Sequence, residues 1–318
     1  MLAYSLRRVL ATIPVMAVVG LLVFSLLYLA PGDPAAVIAG DQASPADIEH
    51  IRIALGLDRP FLIRFGAWVW DVVRGDLGTS IFTNMPVTAL IAQRIQPTIS
   101  LMAVTLVLSL VTAIPLGVVA ASKQGSSIDR FAMVISTAGF SVPVYVIGYV
   151  LAYVFALDGF DLGIGFFPVQ GYSPIEDGVR PWFMSLLLPS IALGLVYMAL
   201  IARVTRAAML EVLSQEYVRT ARAKGAGEGS ILFVHALKNA AVPIVTIVGI
   251  GFASLIGGAV VTETVFAIPG VGRLTVDAIL RRDYPVIQGV VLLFSFVYVL
   301  VNLAVDLLYT LFDPRIRY

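Results

Sequence analysis

The sequence has no cysteine, only two histidines and few charged side chains. Without cysteine the chain can form no disulfide, supply no thiol nucleophile and offer no thiolate ligand to a metal. Charged residues make up 13% of the chain, which is about half the fraction usual in soluble domains. The net charge of +1 and the lack of long basic runs give no reason to expect a nucleic-acid partner.

Apolar residues make up 59% of the chain. This fraction, together with the low charge, is typical of an integral membrane protein. A charge at the centre of a membrane span costs about 2.5–3.5 kcal/mol, so long stretches without charge are informative. Lipid leaves every backbone group to be paired within the chain, and each span is therefore expected to be a helix of at least about 17–20 residues. We predict spans at 9–30, 97–122, 131–157, 181–202, 239–262 and 284–305.

The positions of lysine and arginine predict the orientation of these six spans. Arg7 and Arg8 precede the first span, and further basic residues cluster in 203–238 and at the C-terminus. By the positive-inside rule, both termini and the segment 206–238 are expected in the cytoplasm. Basic residues before an apolar run are also typical of a cleaved signal peptide. The apolar run here is longer than the 7–15 residues of such peptides, so we predict an uncleaved helix.

The long segment 31–96 carries helix signals of its own. Pro45 marks a helix start, and 61–73 reads as a second helix whose Trp68 and Trp70 suit a membrane interface. We therefore predict a small helical subdomain on the external side. The expected division of the chain is 1–30 (cytoplasmic N-terminus and first span), 31–96 (external helical loop) and 97–318 (core with five spans and the cytoplasmic segment 206–238).

Prolines and glycines inside the predicted spans suggest how the helices bend and pack. We expect proline to kink a span where neighbours or water satisfy the freed carbonyls, and glycine to permit close helix approach. The residues concerned are Pro115, Pro143, Pro189 and Pro243, and Gly194, Gly249, Gly251, Gly257 and Gly258.

The predicted spans themselves contain almost no ionisable residues. Asp306 reads as the only acid inside or bordering one; an intramembrane acid is by default a functional candidate, although its position near a span end favours pairing or snorkelling over proton relay. In the segment 262–289, a local pairing is expected among Asp277, Arg281, Arg282 and Asp283.

Motifs for catalysis and cofactor binding are absent from the sequence. There is no G-x-x-x-x-G-K-[ST] loop, so we expect this chain to bind no ATP of its own. H-E-x-x-H is also missing, and His50 and His235 fall on opposite sides of the predicted membrane, where they cannot share a metal. We therefore expect no catalytic residue, no metal site and no cofactor in this chain.

The most charged stretch of its size lies between the fourth and fifth spans, at 211–243. Residues 211–224 read as a short helix on which Leu213, Tyr217 and Ala221 share one face. A short polar helix held between two spans buries little by itself, so we expect it to dock on a partner outside the membrane. The alternative is an ordinary solvated amphipathic loop.

Glycine and serine divide the rest of this stretch. Gly225, Gly227 and Gly229 are expected to end the first helix, because glycine tolerates positive φ. Ser230 is then expected to cap a second short helix over 231–239, which runs into the fifth span.

The same stretch resembles a known family. The run EYVRTARAKG (216–225), followed by HALKNA (235–240), is similar to the EAA coupling loop of importer-type ABC permeases, in the version of the dipeptide, oligopeptide and nickel branch. Ala221, Gly225 and Leu237 match the general pattern, while the residues that depart from it are those typical of the peptide branch. Arg219 and Thr220 stand in place of Glu and Ala, and Lys238 in place of Pro.

Other segments carry the resemblance over almost the whole chain. They are PGDP (31–34), LGLDRP (55–60), RGDLGTS (74–80), QPTISL (96–101), the stretch 262–289 and the terminal DPRIRY.

The resemblance implies an all-α integral membrane protein with six transmembrane helices of the importer-type ABC permease fold and a small helical external subdomain between the first two. It implies a second homologous permease, two cytoplasmic ATPases that hold the ATP and Mg, and an external solute-binding protein. It leaves the substrate-pathway residues unknown. It assigns ATPase coupling to Glu216, Tyr217, Val218, Arg219, Thr220, Ala221, Lys224, Gly225, His235 and Asn239.

The function expected from the resemblance is that of a permease subunit for ATP-driven import of dipeptides or oligopeptides. Nickel, glutathione and opine- or sugar-like solutes are alternatives, because their importers have similar permeases. A stand-alone secondary transporter is a different class, but it needs intramembrane ionisable residues that the spans hardly supply. A membrane-embedded hydrolase needs paired acids or a nucleophile with its base, and neither is visible.

Overall fold

A computed structural model describes residues 2–29, 34–39, 44–54, 57–156 and 167–312. Regular structure in these ranges is helical, without a strand, in agreement with the predicted all-α fold. The α-helices are α1 (Leu2–Leu29), α2 (Pro34–Ala39), α3 (Pro45–Ala54), α4 (Phe61–Val73), α5 (Val87–Ser122), α6 (Ser127–Ser141), α7 (Val144–Ala156), α8 (Val179–Leu213), α9 (Glu216–Ala223), α10 (Glu228–Ser230), α11 (Leu237–Asn239), α12 (Ala241–Val265), α13 (Val271–Arg281) and α14 (Tyr284–Phe312), with a 3-10 turn at Ile175–Asp177 and a π-helical stretch at Ile231–Ala236.

Five helices are long and apolar enough to cross a membrane, namely α1, α5, α8, α12 and α14. The remaining predicted span is divided, because α6 and α7 meet at an angle of 104°. Pro143 lacks an N–H and disfavours helical geometry in the residue before it, and Val142 is accordingly extended, with φ −104° and ψ 127°. The predicted interruption at Pro143 is therefore present, as a break between two helices, and the described residues hold six candidate spans when this bent pair counts as one.

The other prolines act more weakly. Pro115 and Pro189 lie inside α5 and α8, which continue past them. Pro243 is the third residue of α12, in the first turn, where a backbone N–H has no helical partner in any case. An interruption of the fifth span at Pro243 is therefore not observed.

One compact unit comprises residues 2–95 and 274–299. Within it α1 packs against α4, where the Phe24 ring lies 5.3–5.5 Å from the rings of Phe61, Phe65 and Trp68. The predicted helix over 61–73 is confirmed at both ends.

Asp283 is buried and accepts hydrogen bonds from the Ser80 hydroxyl (2.5 Å) and the Ile81 N–H (3.3 Å), so it does not form the expected local pair.

The second compact unit comprises the described residues of 96–273 and 300–312. Its centre is α8, which packs against α6, α7 and α12. Gly251 of α12 faces the Tyr197 ring so closely that a Cβ would overlap it, and the Tyr197 hydroxyl donates to the Val248 carbonyl at 2.5 Å. By contrast, Gly257 has open space around its Cβ position, so close helix approach does not explain this glycine.

Candidate functional site

The segment between α8 and α12 begins later than the sequence suggested. The α8 helix continues through Glu211 to Leu213 and ends in a turn at Ser214, whose hydroxyl donates to the Glu211 carbonyl at 2.7 Å. The short helix α9 then starts at Glu216. The predicted helix over 211–224 is thus two elements, because α8 extends about three turns beyond its apolar stretch.

One side of α9 is buried against its own chain. Val218 and Ile231 are both fully buried, and α9 packs on the π-helical stretch. Val218 is among the residues to which the resemblance assigns ATPase coupling, but its side chain is buried within this chain and is not available to a partner. Its side chain instead holds α9 to the rest of the segment, and burying such a side chain contributes about 1.5–3 kcal/mol.

The π-helical stretch explains how this segment attaches to the helix bundle. Residues five apart share a face in a π-helix, and Ile231 and Ala236 are both fully buried. Ala236 belongs to an apolar cluster that joins this stretch to the ends of α5, α8 and α12. Its buried members are Val118, Ala121, Ala208, Met209, Ala236, Ala240 and Ile244.

Contrary to the prediction, Ser230 does not cap a helix. The helical turn starts at Glu228, with Gly227 in the N-cap position, and Ser230 itself has helical dihedral angles. His235 and Asn239 are both exposed, and the Asn239 amide donates to the His235 carbonyl at 2.7 Å.

Three large apolar side chains of the segment are exposed. Tyr217 is 44% exposed, Phe233 52% and Val234 59%. Tyr217 is among the predicted coupling residues, whereas Phe233 and Val234 were missed. A signal for them existed, because four consecutive apolar residues, 231–234, cannot all be buried by one short helix. We call Tyr217, Phe233 and Val234 the apolar patch.

Charged residues surround the apolar patch in sequence and pair within the segment. Arg219 donates to Glu216 at 2.9 Å, and the Thr220 hydroxyl donates to the Glu216 carbonyl at 3.0 Å. Arg222 donates twice to Glu228, at 2.7 and 3.2 Å. The Arg222 guanidinium lowers the pKa of the Glu228 carboxyl by hydrogen bonding, so this contact stabilises the segment above the usual glutamate pKa and is lost as the pH falls through the lowered value.

Gly225 lies two residues after the end of α9 and has φ +81°, in the left-handed region. A residue with a side chain is strained in this region. Nothing lies within 4 Å of a Cβ built on it, so the backbone angle and not crowding within the chain requires glycine. Gly227 has φ −66° and, like Gly229, an open Cβ position, so the prediction of a special backbone role holds for Gly225 alone of the three.

An ion pair fixes α6 to α8, seven residues before α8 ends. Arg206 of α8 donates to both oxygens of Asp129, at 2.5 and 2.8 Å. The Asp129 carboxylate is 5% exposed and also accepts the Gly125 N–H at 2.9 Å. Bidentate pairs of this kind impose geometry as well as energy, so the helix that leads into the segment is held to the start of the broken span.

A second acid, Glu263, is fully buried in the last turn of α12. It accepts hydrogen bonds from the Thr98 hydroxyl (2.6 Å) and the Arg273 N–H (2.9 Å), and Thr98 in turn accepts the Val271 N–H (2.8 Å). Asp129 and Glu263 both lie within two residues of a predicted span, so the interpretation of Asp306 as the only such acid is wrong.

Long apolar helices packed around α8, with a short helix between two candidate spans, indicate a multi-pass membrane protein. The chain belongs to the family of binding-protein-dependent transport system inner membrane components. The model of that family matches residues 113–318, and the model of its N-terminal region matches residues 1–103.

Relatives share the whole length of the chain. A probable peptide ABC transporter permease of Sinorhizobium fredii is 55% identical over 99% of both chains. The dipeptide transport system permease DppB of Alkalihalophilus pseudofirmus is 40% identical, and the glutathione transport system permease GsiC of Escherichia coli is 41% identical, each over 100% of both chains.

A solved structure supports the fold. An inward-facing structure of the MetNI methionine ABC transporter matches with a TM-score of 0.57 at 19% identity, over 70% of this chain and 96% of that one. At this identity the match concerns the fold alone.

Proposed function

We propose that this chain is the permease subunit of an ATP-driven, binding-protein-dependent importer of dipeptides or oligopeptides. The observation that carries the proposal is the segment 214–239, which combines an outward apolar patch with inward anchoring of Val218 and Ile231. A force applied to such a segment moves the bundle rather than only the loop. Membership of the transport family and the names of the relatives support the choice of class and substrate.

The partners follow from this role. We infer that a cytoplasmic ATPase binds the apolar patch and the side chains around it, because buried aromatic anchors contribute most of the energy of protein interfaces. ATP and Mg belong to two such ATPase subunits, since this sequence has no phosphate-binding loop. A second homologous permease and an external solute-binding protein complete the assembly, with both termini of this chain in the cytoplasm.

The mechanism follows from how the segment is held. Closure of the ATPases pushes on α9, whose buried side presses on the π-helical stretch. The apolar cluster carries this displacement to the ends of α5, α8 and α12, and the Asp129–Arg206 pair carries it to α6. Rocking of these helices as packed bodies opens the pathway between the two permeases to alternate sides.

Glutathione import is a second candidate, favoured by the relative from Escherichia coli. Glutathione is itself a tripeptide, so the same pathway chemistry would serve both. The solute-binding protein that delivers the substrate then decides between them.

The test is uptake into proteoliposomes that contain both permeases and both ATPases, supplied with the solute-binding protein. We expect uptake of labelled dipeptide or oligopeptide that requires ATP and the binding protein, with glutathione and Ni²⁺ as competing substrates. Liposomes without ATP are the control. Peptide uptake driven by an ion gradient in the absence of the ATPases would contradict the proposal.

A further inference from the structure

The compact unit of residues 2–95 and 274–299 holds a cavity of about 290 Å³. Its walls come from α1, from α4 and the residues before it, and from the start of α14. Arg64, Trp68 and Asp71 of α4 are three to four residues apart and therefore share one face. The predicted orientation places the end of α1 and the start of α14 on the external side, so we expect the cavity on the external face. We call it the outer cavity.

Apolar and aromatic side chains form most of the wall of the outer cavity. Phe24 of α1 is 4% exposed, and its ring centre lies 5.3 Å from that of Trp68. Tyr284 and Pro285, at the start of α14, line the same space. The Arg64 guanidinium lies over the Phe24 ring at 5.7 Å, so this cation already has a partner. A wall of this kind suits the apolar side chains of a small ligand.

Two opposite charges at the outer cavity have no partner among the described residues. Arg59 lies just before α4, and Asp71 lies in the last turn of that helix. Within the described part of the chain, neither side chain forms an ion pair or a hydrogen bond. Because α4 rises by about 15 Å between residues 61 and 71, the two charges are too far apart to pair directly. A ligand with a negative group at one end and a positive group at the other would neutralise both.

A buried amide adds a third polar group to the outer cavity. Gln288, in the second turn of α14, is 8% exposed and lines the cavity. Its amide nitrogen donates to the Val23 carbonyl at 3.5 Å, and no described residue donates to its carbonyl oxygen. A buried acceptor without a donor costs free energy, so we expect the ligand of this cavity to carry an N–H.

We propose that the outer cavity binds a short peptide with free ends. The peptide carboxylate pairs with Arg59 and its ammonium group with Asp71. A backbone N–H donates to Gln288, and an apolar side chain packs on Phe24 and Trp68. An extended chain gains about 3.3–3.6 Å per residue, so about three to four residues span the distance that the two charged side chains leave. The inference rests on the proposed peptide import and gives the peptide a site on the permease itself.

A phospholipid or a partner helix fits the outer cavity less well. The phosphate and ammonium of an ethanolamine headgroup are joined by two carbons, which is too short to reach both ends of α4. The N–H donors of that lipid are confined to its headgroup, and its esters offer only acceptors to the buried carbonyl of Gln288. A helix is about 10–12 Å across and its N–H groups are already paired, so it is too wide for this cavity and brings no donor.

Binding of a labelled Ala-Phe-Ala tripeptide to the assembled transporter, in phosphatidylcholine nanodiscs without the solute-binding protein, tests the proposal. We expect saturable binding that Arg59→Gln and Asp71→Asn each weaken about tenfold or more, since each removes a hydrogen bond to a charged group. Arg74→Gln and Asp76→Asn are the matched controls, because these residues belong to the same compact unit but are not among the described residues that line the cavity. Both controls should retain the wild-type affinity.

Modified tripeptides assign each end of the ligand to its residue. Acetylation of the amino end removes the partner of Asp71, and amidation of the carboxyl end removes the partner of Arg59. Asp71→Asn should therefore weaken binding of the free tripeptide but not of the acetylated one, and Arg59→Gln should weaken binding of the free tripeptide but not of the amidated one. A merely structural effect of either substitution would weaken binding of all three peptides alike.

Three results would overturn the proposal. Absence of saturable binding by the wild type, or equal affinity of the wild type and both variants, would show that the outer cavity takes no peptide. Native mass spectrometry of transporter purified from cell membranes tests the lipid: a bound phosphatidylethanolamine that both variants lose would assign the cavity to lipid. Arg59 and Asp71 are exposed, so neither substitution should impair folding, and co-purification of the partners confirms assembly. If one variant fails to assemble, the other still decides with its modified peptide.

The inference and the proposed function can fail separately. ATP-dependent peptide uptake by the complete transporter, without peptide binding at the outer cavity, would reject the cavity alone. Peptide binding that depends on Arg59 and Asp71, without any uptake by the complete transporter, would leave the site and reject peptide import.

Discussion

At the scale of single residues, Glu263 shows how one buried carboxylate organises a turn. It binds Thr98 and the N–H of Arg273, and a Cβ on Gly270 or Gly272 would overlap its carboxylate. The non-glycine residue Ala267, with φ +52°, lies in the same turn. The turn is thus built around this side chain.

Removing the Glu263 carboxylate should destabilise the chain. Glu263→Ala leaves buried donors without an acceptor, at about 1–3 kcal/mol each. Glu263→Gln keeps one carbonyl acceptor and should cost less. Thermal unfolding of the detergent-purified transporter measures both, and equal stability of Glu263→Ala and the wild type would show that the hydrogen bonds of this carboxylate do not stabilise the turn.

Tyr217 is expected to contribute far more to ATPase binding than Lys224. An aromatic anchor typically contributes 2 kcal/mol or more to an interface, whereas an exposed charge contributes about 1 kcal/mol or less. Tyr217→Ala should therefore reduce ATPase co-purification and uptake, while Lys224→Ala leaves both near the wild-type level. A larger effect of Lys224→Ala than of Tyr217→Ala would show that exposed charges, and not the apolar patch, bind the ATPase.

At the scale of helices, the ion pair between α6 and α8 should be strongly coupled. Breaking this pair is destabilising, because the remaining charge, at a site with little exposure, loses its partner. Asp129→Ala and Arg206→Ala should each destabilise the transporter, and the double variant should cost less than the sum.

The control for the Asp129–Arg206 pair, in the same stability assay, is the exposed ion pair Glu216–Arg219. Its side chains are 83% and 69% exposed. Its coupling should be about 0.2–1 kcal/mol. Additive effects at Asp129 and Arg206 would contradict the assignment of a buried link.

Sequence patterns predicted some elements well. The α4 helix was found at both ends because a proline and an apolar stripe mark it. The break at Pro143 was underestimated, since an uncharged stretch looks alike whether straight or bent. The ends of α8 and α9 were misplaced because helix continuation into polar residues depends on packing rather than on hydropathy.

Local sequence patterns could not predict the principal contacts of the site, because the contacting residues are far apart in the sequence. Arg206 and Asp129 are 77 residues apart, and Thr98 and Glu263 are 165 residues apart. The burial of Val218 and the exposure of Phe233 depend on the π-helical register of 231–236, which changes the residues that share a face. A sequence interpreted with α-helical spacing assigns those faces wrongly.

At the scale of the whole molecule, binding of a cytoplasmic ATPase at α9 requires a defined orientation in the membrane. The basic residues near the span ends predict that Asp58 is external and Ala226 cytoplasmic. Reporter fusions active only outside or only inside the cell, joined after each residue, measure this. A cytoplasmic result at Asp58 or an external one at Ala226 would exclude ATPase binding at α9.

The central claim is that segment 214–239 couples this chain to its ATPases, and Gly225→Asp tests it most directly. The variant strains a position with φ +81°, at a cost of about 1 kcal/mol or more, and adds a charge beside α9. Gly227→Asp is the matched control, because Gly227 has φ −66°, an open Cβ position and an N-cap role that aspartate fills well.

The measurement is peptide uptake together with co-purification of the ATPases, at equal amounts of permease in the membrane. We predict that Gly225→Asp loses both and that Gly227→Asp retains both. Full uptake and full ATPase association in Gly225→Asp would mean that the segment is only a connector between two spans.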